Sequence, residues 1–398
     1  MDLLKRCVHS GIRCTSRRSY AAFPVSYPTS SHSSSKRSDS IDNLPTPAPV
    51  DVSSRLRTLH SDVVTSLLDE ATSLGVGFTP ITENPTNFIN NLQEMAKYYF
   101  DQGGKLIRPT VSLLMSCACN QFPHPSRESI PSDIYANISL NQYRIAMVSE
   151  MIHTASLVHD DVIDESDIRR GRPTANARWG NRQAVLVGDF ILARATKVLC
   201  TIGQPKVIST MAEIVEDLVK GELMQLTCPD NLGTKERFQH YLQRTFYKTA
   251  SLFANSCKSV AMLAGLDENQ QRDSFEFGRN LGLAFQLIDD VIDYISTTQK
   301  SGKPTATDLK LGLATCPALY AAQEHPELND LINRRFSNDG DVETAFEIIM
   351  NSNGITKSKE LAKTHCQNAI ELAQKLPNGQ RVRDCLIEIV QAQLQRNR

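Results

Sequence analysis

No stretch of the chain reaches the roughly eighteen consecutive apolar residues of a membrane span, so no transmembrane helix is predicted. Cysteine pairing is equally absent. The ten cysteines stand singly at 7, 14, 117, 119, 200, 228, 257, 316, 366 and 385. None forms a C-x-x-C pair, and Cys117 and Cys119 are one residue too close for the usual zinc spacing. This spacing argues against a disulfide framework and for a reducing compartment, with most thiols serving as small apolar groups on helices. No P-loop, no G-x-G-x-x-G and no Ser/His/Asp nucleophile arrangement is found. Strand signals are almost missing, and a net charge of -1 with no basic stripe leaves no nucleic-acid surface.

What remains is a globular composition, 40% hydrophobic and 22% charged over 398 residues, with an uneven charge distribution. Residues 1–38 hold seven Lys or Arg and one acid, whereas the rest of the chain holds 36 basic and 43 acidic residues. Residues 1–22 are rich in Arg and Ser and lack an apolar h-region, the composition of a mitochondrial transit peptide rather than a secretory signal. Residues 23–50 are Ser- and Pro-rich and read as a disordered linker. Order is expected over 51–398 as a single all-α domain, a large helix bundle around a central cavity.

Two stretches dominate that domain. In His159-Asp160-Asp161-Val162-Ile163-Asp164, three carboxylates sit at the end of an apolar stripe (Ile145, Val148, Met151, Ile152, Ala155, Val158, Val162) with helical period. Asp160 and Asp164 fall one turn apart on one side. Crowded carboxylates raise each other's pKa and need a cation, for which Mg²⁺ is suited because it binds through one or two carboxylates plus substrate phosphates. The pattern returns 129 residues later in Phe285-Gln286-Leu287-Ile288-Asp289-Asp290-Val291-Ile292-Asp293, where Gln286, Asp289 and Asp293 are expected along one side.

Cations accompany the acids. Lys105 and Arg108 follow Gly103-Gly104 and stand one turn apart at a helix start, either an anion site or a solvated face. Arg169 and Arg170 lie on a loop before the turn signal Gly171-Arg172-Pro173-Thr174, where they either reach phosphates or neutralise Glu165 and Asp167. His153, two turns before Asp160, is either a core histidine or a ligand. Lys248, in the long helical stretch from Tyr241 to Leu266, either snorkels to the surface or points into the cavity. Gly302-Lys303-Pro304 breaks the chain beyond the second cluster.

Facing acidic helices ringed by Lys and Arg describe a site for a Mg²⁺-bridged diphosphate leaving group, and an apolar bundle is a container that keeps water from a carbocation-like species. The motifs Gly-Gly-Lys-x-x-Arg-Pro at 103–109, His-Asp-Asp-Val-Ile-Asp at 159–164 and Arg-Arg-Gly at 169–171 resemble those of the trans-isoprenyl diphosphate synthases. Gly221-Glu222, Lys248-Thr249, the second acidic run and Gly302-Lys303-Pro304 extend the likeness over about residues 55–398. Within that family the chain is most similar to the catalytic subunits of long-chain polyprenyl diphosphate synthases of decaprenyl and solanesyl type.

The resemblance implies an isoprenoid-synthase-type helix bundle and a prenyltransferase reaction. Isopentenyl diphosphate condenses head-to-tail (1′-4) onto an allylic diphosphate, farnesyl or geranylgeranyl, to build an all-trans polyprenyl diphosphate for a ubiquinone side chain. Lys105, Arg108, His153 and Arg170 are then expected to bind isopentenyl diphosphate. Asp160, Asp164 and Asp289 are expected to hold Mg²⁺, and Arg169, Lys248, Thr249, Gln286 and Lys303 to contact the allylic substrate. Asp161, Asp290 and Lys248 join Asp160, Asp164 and Asp289 as expected catalytic residues. Small residues at Ala155 and Ser156 imply a tunnel left open for a long product. The same resemblance implies a mitochondrial matrix enzyme, a homodimer or a hetero-oligomer with a second synthase subunit, and a peripheral membrane contact for product release. Two alternatives stand beside it: a terpene cyclase, against which the intact second acidic cluster speaks, and a non-catalytic regulatory subunit, in which broken clusters are expected.

Overall fold

Fifteen α-helices make up nearly all the regular structure in the computed structural model, which describes residues 61–65, 85–101, 105–120, 137–227, 232–295, 306–377 and 379–396. The leader at 1–22, the linker at 23–50, Gly103-Gly104 and Lys303 lie outside the described residues.

The helix that carries the first acids, α3 (Leu140–Ile163), follows α1 (Pro85–Phe100) and α2 (Ile107–Cys119). Its start is fixed by a capping box: the Ser139 hydroxyl accepts from Gln142 N, and the Gln142 side chain accepts from Ser139 N. Gln142 also donates to the carbonyl of Val260, 3.1 Å away, which ties this end to a later helix. Ile145, Val148, Met151, Ile152, Ala155 and Val158 are all buried in the main core. A 24-residue helix spans ~36 Å, so α3 crosses the bundle and brings its acids out where the apolar core ends.

The chain then forms the one pair of strands among the described residues. Ile168–Arg169 and Arg172–Pro173 pair as a two-residue antiparallel ladder. Its turn residues Arg170 and Gly171 have φ of 53° and 75°, the left-handed pair of a type I′ hairpin. The expected loop is thus a tight hairpin. Next come α4 (Ala175–Trp179), α5 (Asn181–Cys200), α6 (Pro205–Leu226) and α7 (Thr234–Thr245).

The sequence predicts one continuous helix from Tyr241 to Leu266, and the structure interrupts it. Phe246–Ala250 is a π turn between α7 and α8 (Ser251–Leu263). The extra residue in that turn changes the facing of the residues it carries, Lys248 and Thr249. The second acids ride on α9 (Glu268–Ile295), followed by α10 (Thr307–Lys310), α11 (Cys316–Glu324), α12 (Leu328–Asn333), α13 (Asp341–Asn351), α14 (Gly354–Gln374) and α15 (Gln380–Leu394). α8 and α9 touch backbone to backbone: a Cβ on Gly278 would lie 2.5 Å from the Phe253 carbonyl oxygen.

α14 packs along α9 and fixes it through a polar contact, His365 Nδ1 to Asn280 Oδ1 at 2.8 Å. Burial, and then the neighbouring Arg279, push the His365 pKa down to about 4, so the folded chain holds it neutral. Unfolded histidine takes a proton near pH 6.5, so below that value the unfolded state binds a proton that the folded state refuses. Stability is therefore predicted to fall as pH drops from 6.5 towards 4, by on the order of 2–3 kcal/mol from this group. Denaturant titrations at several pH values should show a shallower fall over this range in His365→Gln.

Candidate functional site

Both acidic clusters occupy the last turns of their helices. Asp160 and Asp161 precede the end of α3 at Ile163, Asp164 is its C-cap, and Asp289, Asp290 and Asp293 precede the end of α9 at Ile295. A helix C-terminus carries partial negative charge and favours cations, so carboxylates there are doubly short of positive charge.

The first cluster divides into a spent acid and two open ones. Asp161 is fully buried. It accepts from Tyr99 Oη and from Arg169 Nε, each at 2.8 Å. Tyr99 in turn accepts from Ala175 N at 3.0 Å, so Asp161 locks α1, α3 and α4 together. The acid that Arg169 neutralises is thus Asp161, reached through both Nε and Nη2, where the sequence pointed to Glu165 and Asp167. Asp160 and Asp164 accept no side-chain hydrogen bond from any described residue. Burial pushes the Asp160 pKa up to about 7, Lys248 pulls it back, and Glu222 and Asp164 raise it further. Asp164 is raised chiefly by burial as well, with Lys248 again lowering and Glu222 raising.

Lys248 resolves its own ambiguity. It is bent inward, paired with Glu222 and donating to Gln225 Oε1 at 3.2 Å, rather than snorkelling to solvent. Gly221 makes room for it, because a Cβ there would lie 2.6 Å from Lys248 Cγ. The other oxygen of Glu222, Oε2, is buried with no hydrogen-bond partner. Thr249, next to Lys248 on the π turn, donates instead to Gln286 Oε1 on α9 at 2.8 Å. Consecutive residues thus connect the two acid-bearing regions.

In the second cluster every acid already has a protein partner. Asp289 receives Arg396 Nη2 at 2.5 Å. Asp290 is buried, accepting from Tyr241, from Gln286 Nε2 at 2.9 Å and from Cys316 N at 3.4 Å. Burial raises its pKa to about 6 while these donors restrain it. Asp293 caps the segment into α10, accepting from Thr307 N and Asp308 N at 3.0 Å. Gln286, Asp289 and Asp293 lie along one side of the unbroken helix α9, and Gln286 also donates to Asp290, one turn along.

A cationic group stands between the clusters. Arg108 Nη1 lies 3.0 Å from His153 Nε2, and its guanidinium rests over Phe253 and Phe285 at 5.1 and 5.7 Å. Arg108 Nε is buried without a partner. Burial lowers the Arg108 pKa to about 10, with Glu150 and Asp289 opposing and Arg170 and Arg396 adding to the fall. His153 is driven well below its ordinary value by burial and by Arg108, Arg170 and Arg169, so it is neutral and accepts from Arg108. Lys105 is exposed just before α2 and near enough to influence Asp289, and Arg170 is exposed at the hairpin tip. Ala155 lies fully inside the main core, while half-buried Ser156 donates to the His153 carbonyl at 2.9 Å.

Sequence reasoning did not single out Glu222, Gln225, Tyr99, Tyr241 or Arg396 as site residues. Glu222 and Gln225 carried a signal as polar insertions in an apolar helix. Arg396 carried none, because its partner is 107 positions away.

The donor set fits a divalent cation by its chemistry: crowded carboxylates at a helix C-terminus, one of them raised to about 7, beside an orphaned buried Glu222 oxygen. No three His, Cys, Asp or Glu among the described residues group closely enough to hold a metal by themselves.

Fold and site together define an all-α enzyme of isoprenoid-synthase type. The polyprenyl synthetase family model matches residues 89–349. The human all trans-polyprenyl-diphosphate synthase PDSS1 is 46% identical over 310 residues, 78% of this chain and 72% of the relative. Decaprenyl-diphosphate synthase of Dictyostelium discoideum is 42% identical over 338 residues, 85% and 69%. Among solved structures, a decaprenyl diphosphate synthase from Rhodobacter capsulatus superposes with a TM-score of 0.70 at 27% identity, covering 87% of this chain and 97% of that one. A polyprenyl synthase from Caulobacter crescentus, complexed with calcium and isoprenyl diphosphate, gives 0.68 at 28%, with coverage of 87% and 96%. The chain belongs to the polyprenyl synthetase family, as a long-chain polyprenyl diphosphate synthase and hence a prenyltransferase.

The division within the first cluster predicts opposite stability effects from neighbouring substitutions. Asp161→Ala strands Arg169 and Tyr99 and should cost about 3–5 kcal/mol. Asp160→Asn removes a poorly compensated buried charge and should leave stability unchanged or raised at pH 8. Urea unfolding of both variants without metal measures the contrast.

Proposed function

We propose that this chain is the catalytic subunit of its synthase, elongating farnesyl or geranylgeranyl diphosphate with isopentenyl diphosphate in the mitochondrial matrix to make the ubiquinone side chain. Relatives named as mitochondrial support the compartment, among them solanesyl-diphosphate synthase 1 of rice, 45% identical over 295 residues. The composition of residues 1–22 supports it too, read as a transit peptide ahead of a linker at 23–50 and one domain over 51–398.

The observation that carries the reading is the division of labour within the first cluster, Asp161 consumed by the fold and Asp160 and Asp164 left open. Asp160 and Asp164, with Asp289 once Arg396 releases it, would hold Mg²⁺. Bound there, Mg²⁺ supplies charge neutralisation for the diphosphate leaving group of the allylic substrate.

The chain's own residues do the rest. Arg108, with its free Nε and its Nη1 set by neutral His153, holds the diphosphate of isopentenyl diphosphate together with Lys105 and Arg170. Phe253 and Phe285, under the Arg108 guanidinium, give the site an apolar wall that excludes water from the ionised allylic carbon. Lys248, freed from Glu222, and Thr249 with Gln286 orient the allylic diphosphate, joined by Lys303. Arg169 acts on that site indirectly, by fixing Asp161. The isopentenyl double bond then attacks the allylic carbon, and the departing diphosphate takes the proton. A homodimer or a hetero-oligomer with a second synthase subunit, and a membrane contact for release of the apolar product, complete the proposal.

Incubation with farnesyl diphosphate, labelled isopentenyl diphosphate and Mg²⁺ should give extended product, alone or after addition of a partner subunit. Asp160→Ala should lower the rate by about 10²–10³-fold, the cost of removing one charge-stabilising group from a site of this kind. Full turnover in that variant would remove Asp160 from the metal site. Ala155→Phe should shorten the product, read by chromatography, because an aromatic ring at the tunnel mouth stops growth early. Since Ala155 is fully buried, the same substitution should also cost about 1–3 kcal/mol through overpacking.

A further inference from the structure

Behind the catalytic acids, α7 presents Arg237, His240, Tyr241 and Arg244 at spacings of three and four, hence on one face. Arg335, from the turn after α12, reaches into the same pocket, which Leu313 and Ile332 line on the apolar side. Three guanidinium groups therefore share one pocket, and no described carboxylate lines it.

Of the three, Arg237 is built into the fold, Arg244 is half-buried and Arg335 is exposed at the mouth. Arg237 is only 9% exposed. Its Nη2 donates to Asn333 Oδ1 at 2.7 Å, and its Nη1 is buried with no partner. A buried guanidinium nitrogen without an acceptor is costly unless a ligand supplies one. Arg335 is held at φ 55°, followed by Phe336 at φ 54°, two successive non-glycine residues in the left-handed region. Strain of that kind persists where the surroundings over-determine it, often at ligand sites. Arg335 Nη2 reaches the carbonyl of Leu226, and Arg244 lies over the Tyr241 ring at 5.6 Å. Burial, and then Arg244, hold His240 below its ordinary pKa, so a further net positive charge is kept off the pocket.

We propose that this pocket is a second anion site that takes inorganic diphosphate, held by Arg237, Arg244 and Arg335. It is separate from the Arg108 group and touches the catalytic machinery at two points. Gln225, on its rim, receives Lys248, and Tyr241, in its wall, donates to Asp290. An anion bound there sits beside the partners of Lys248 and of Asp290. The chemistry it recognises is the diphosphate group, which is present as the free ion and as the head of a prenyl diphosphate.

Calorimetric titration of the full chain in metal-free buffer tests this with inorganic diphosphate as the probe. Arg244→Gln combined with Arg335→Gln should weaken one binding event at least tenfold, about 1.4 kcal/mol, and Arg108→Gln should leave that event in place. Leu313→Glu, which supplies a carboxylate from within, should abolish the same event and raise the thermal midpoint, and it answers the question if the double variant fails to fold. A parallel titration with a non-ionising farnesyl thiodiphosphate separates the sources: tighter binding that these variants abolish would replace the free ion by a prenyl head. Diphosphate binding unchanged in the double variant or in Leu313→Glu, or lost only in Arg108→Gln, overturns the proposal.

Discussion

Two helices that end on carboxylates set the terms for the rest of the molecule. Each helix C-terminus is already partially negative, and each carries three aspartates in or just beyond its last two turns. Such an arrangement holds only where positive charge or hydrogen-bond donors converge on it. The fold meets that demand unequally. Asp161, Asp290 and Asp293 are satisfied by side chains and backbone amides, Asp289 by Arg396 from the end of the described chain, and Asp160 and Asp164 by Lys248 at a distance. The least satisfied pair marks where chemistry is placed.

The satisfied acids are part of the construction of the site. Asp161 draws the type I′ hairpin and α1 onto the end of α3, which brings Arg170 beside Arg108 and His153. Asp290 draws α7 and the start of α11 onto α9 through Tyr241 and Cys316. The π turn between α7 and α8 then sends Lys248 towards the first cluster and Thr249 towards the second. A regular helix would turn these neighbours by a uniform 100°; the widened turn alters that relation.

Much of this was legible in the sequence because it is periodic. The apolar spacing along 145–162 and along 281–295 predicts helices, and two acid runs in apolar surroundings predict inward-facing charge. Family membership and the all-α fold follow from the same motifs. What periodicity does not encode is which of two adjacent aspartates turns to which partner. Asp160 and Asp161 differ by one position, yet one lies open and the other is fully buried under Tyr99 and Arg169. The π turn was equally hidden, since one extra residue leaves the surrounding apolar pattern intact. Arg396 was invisible for a different reason: its pairing with Asp289 joins distant parts of the chain, and only the folded backbone brings them together.

In the metal-free chain, burial outweighs the counter-charge that Lys248 and Arg169 bring to Asp160. Carboxyl carbon resonances of aspartate-labelled protein, followed against pH, measure this directly. One aspartate, absent from the Asp160→Asn spectrum, should titrate near pH 7 without metal and move to clearly lower pH when Mg²⁺ and diphosphate are added. An Asp160 that titrates in the ordinary carboxylate range without metal, and does not shift when Mg²⁺ is added, would contradict the account.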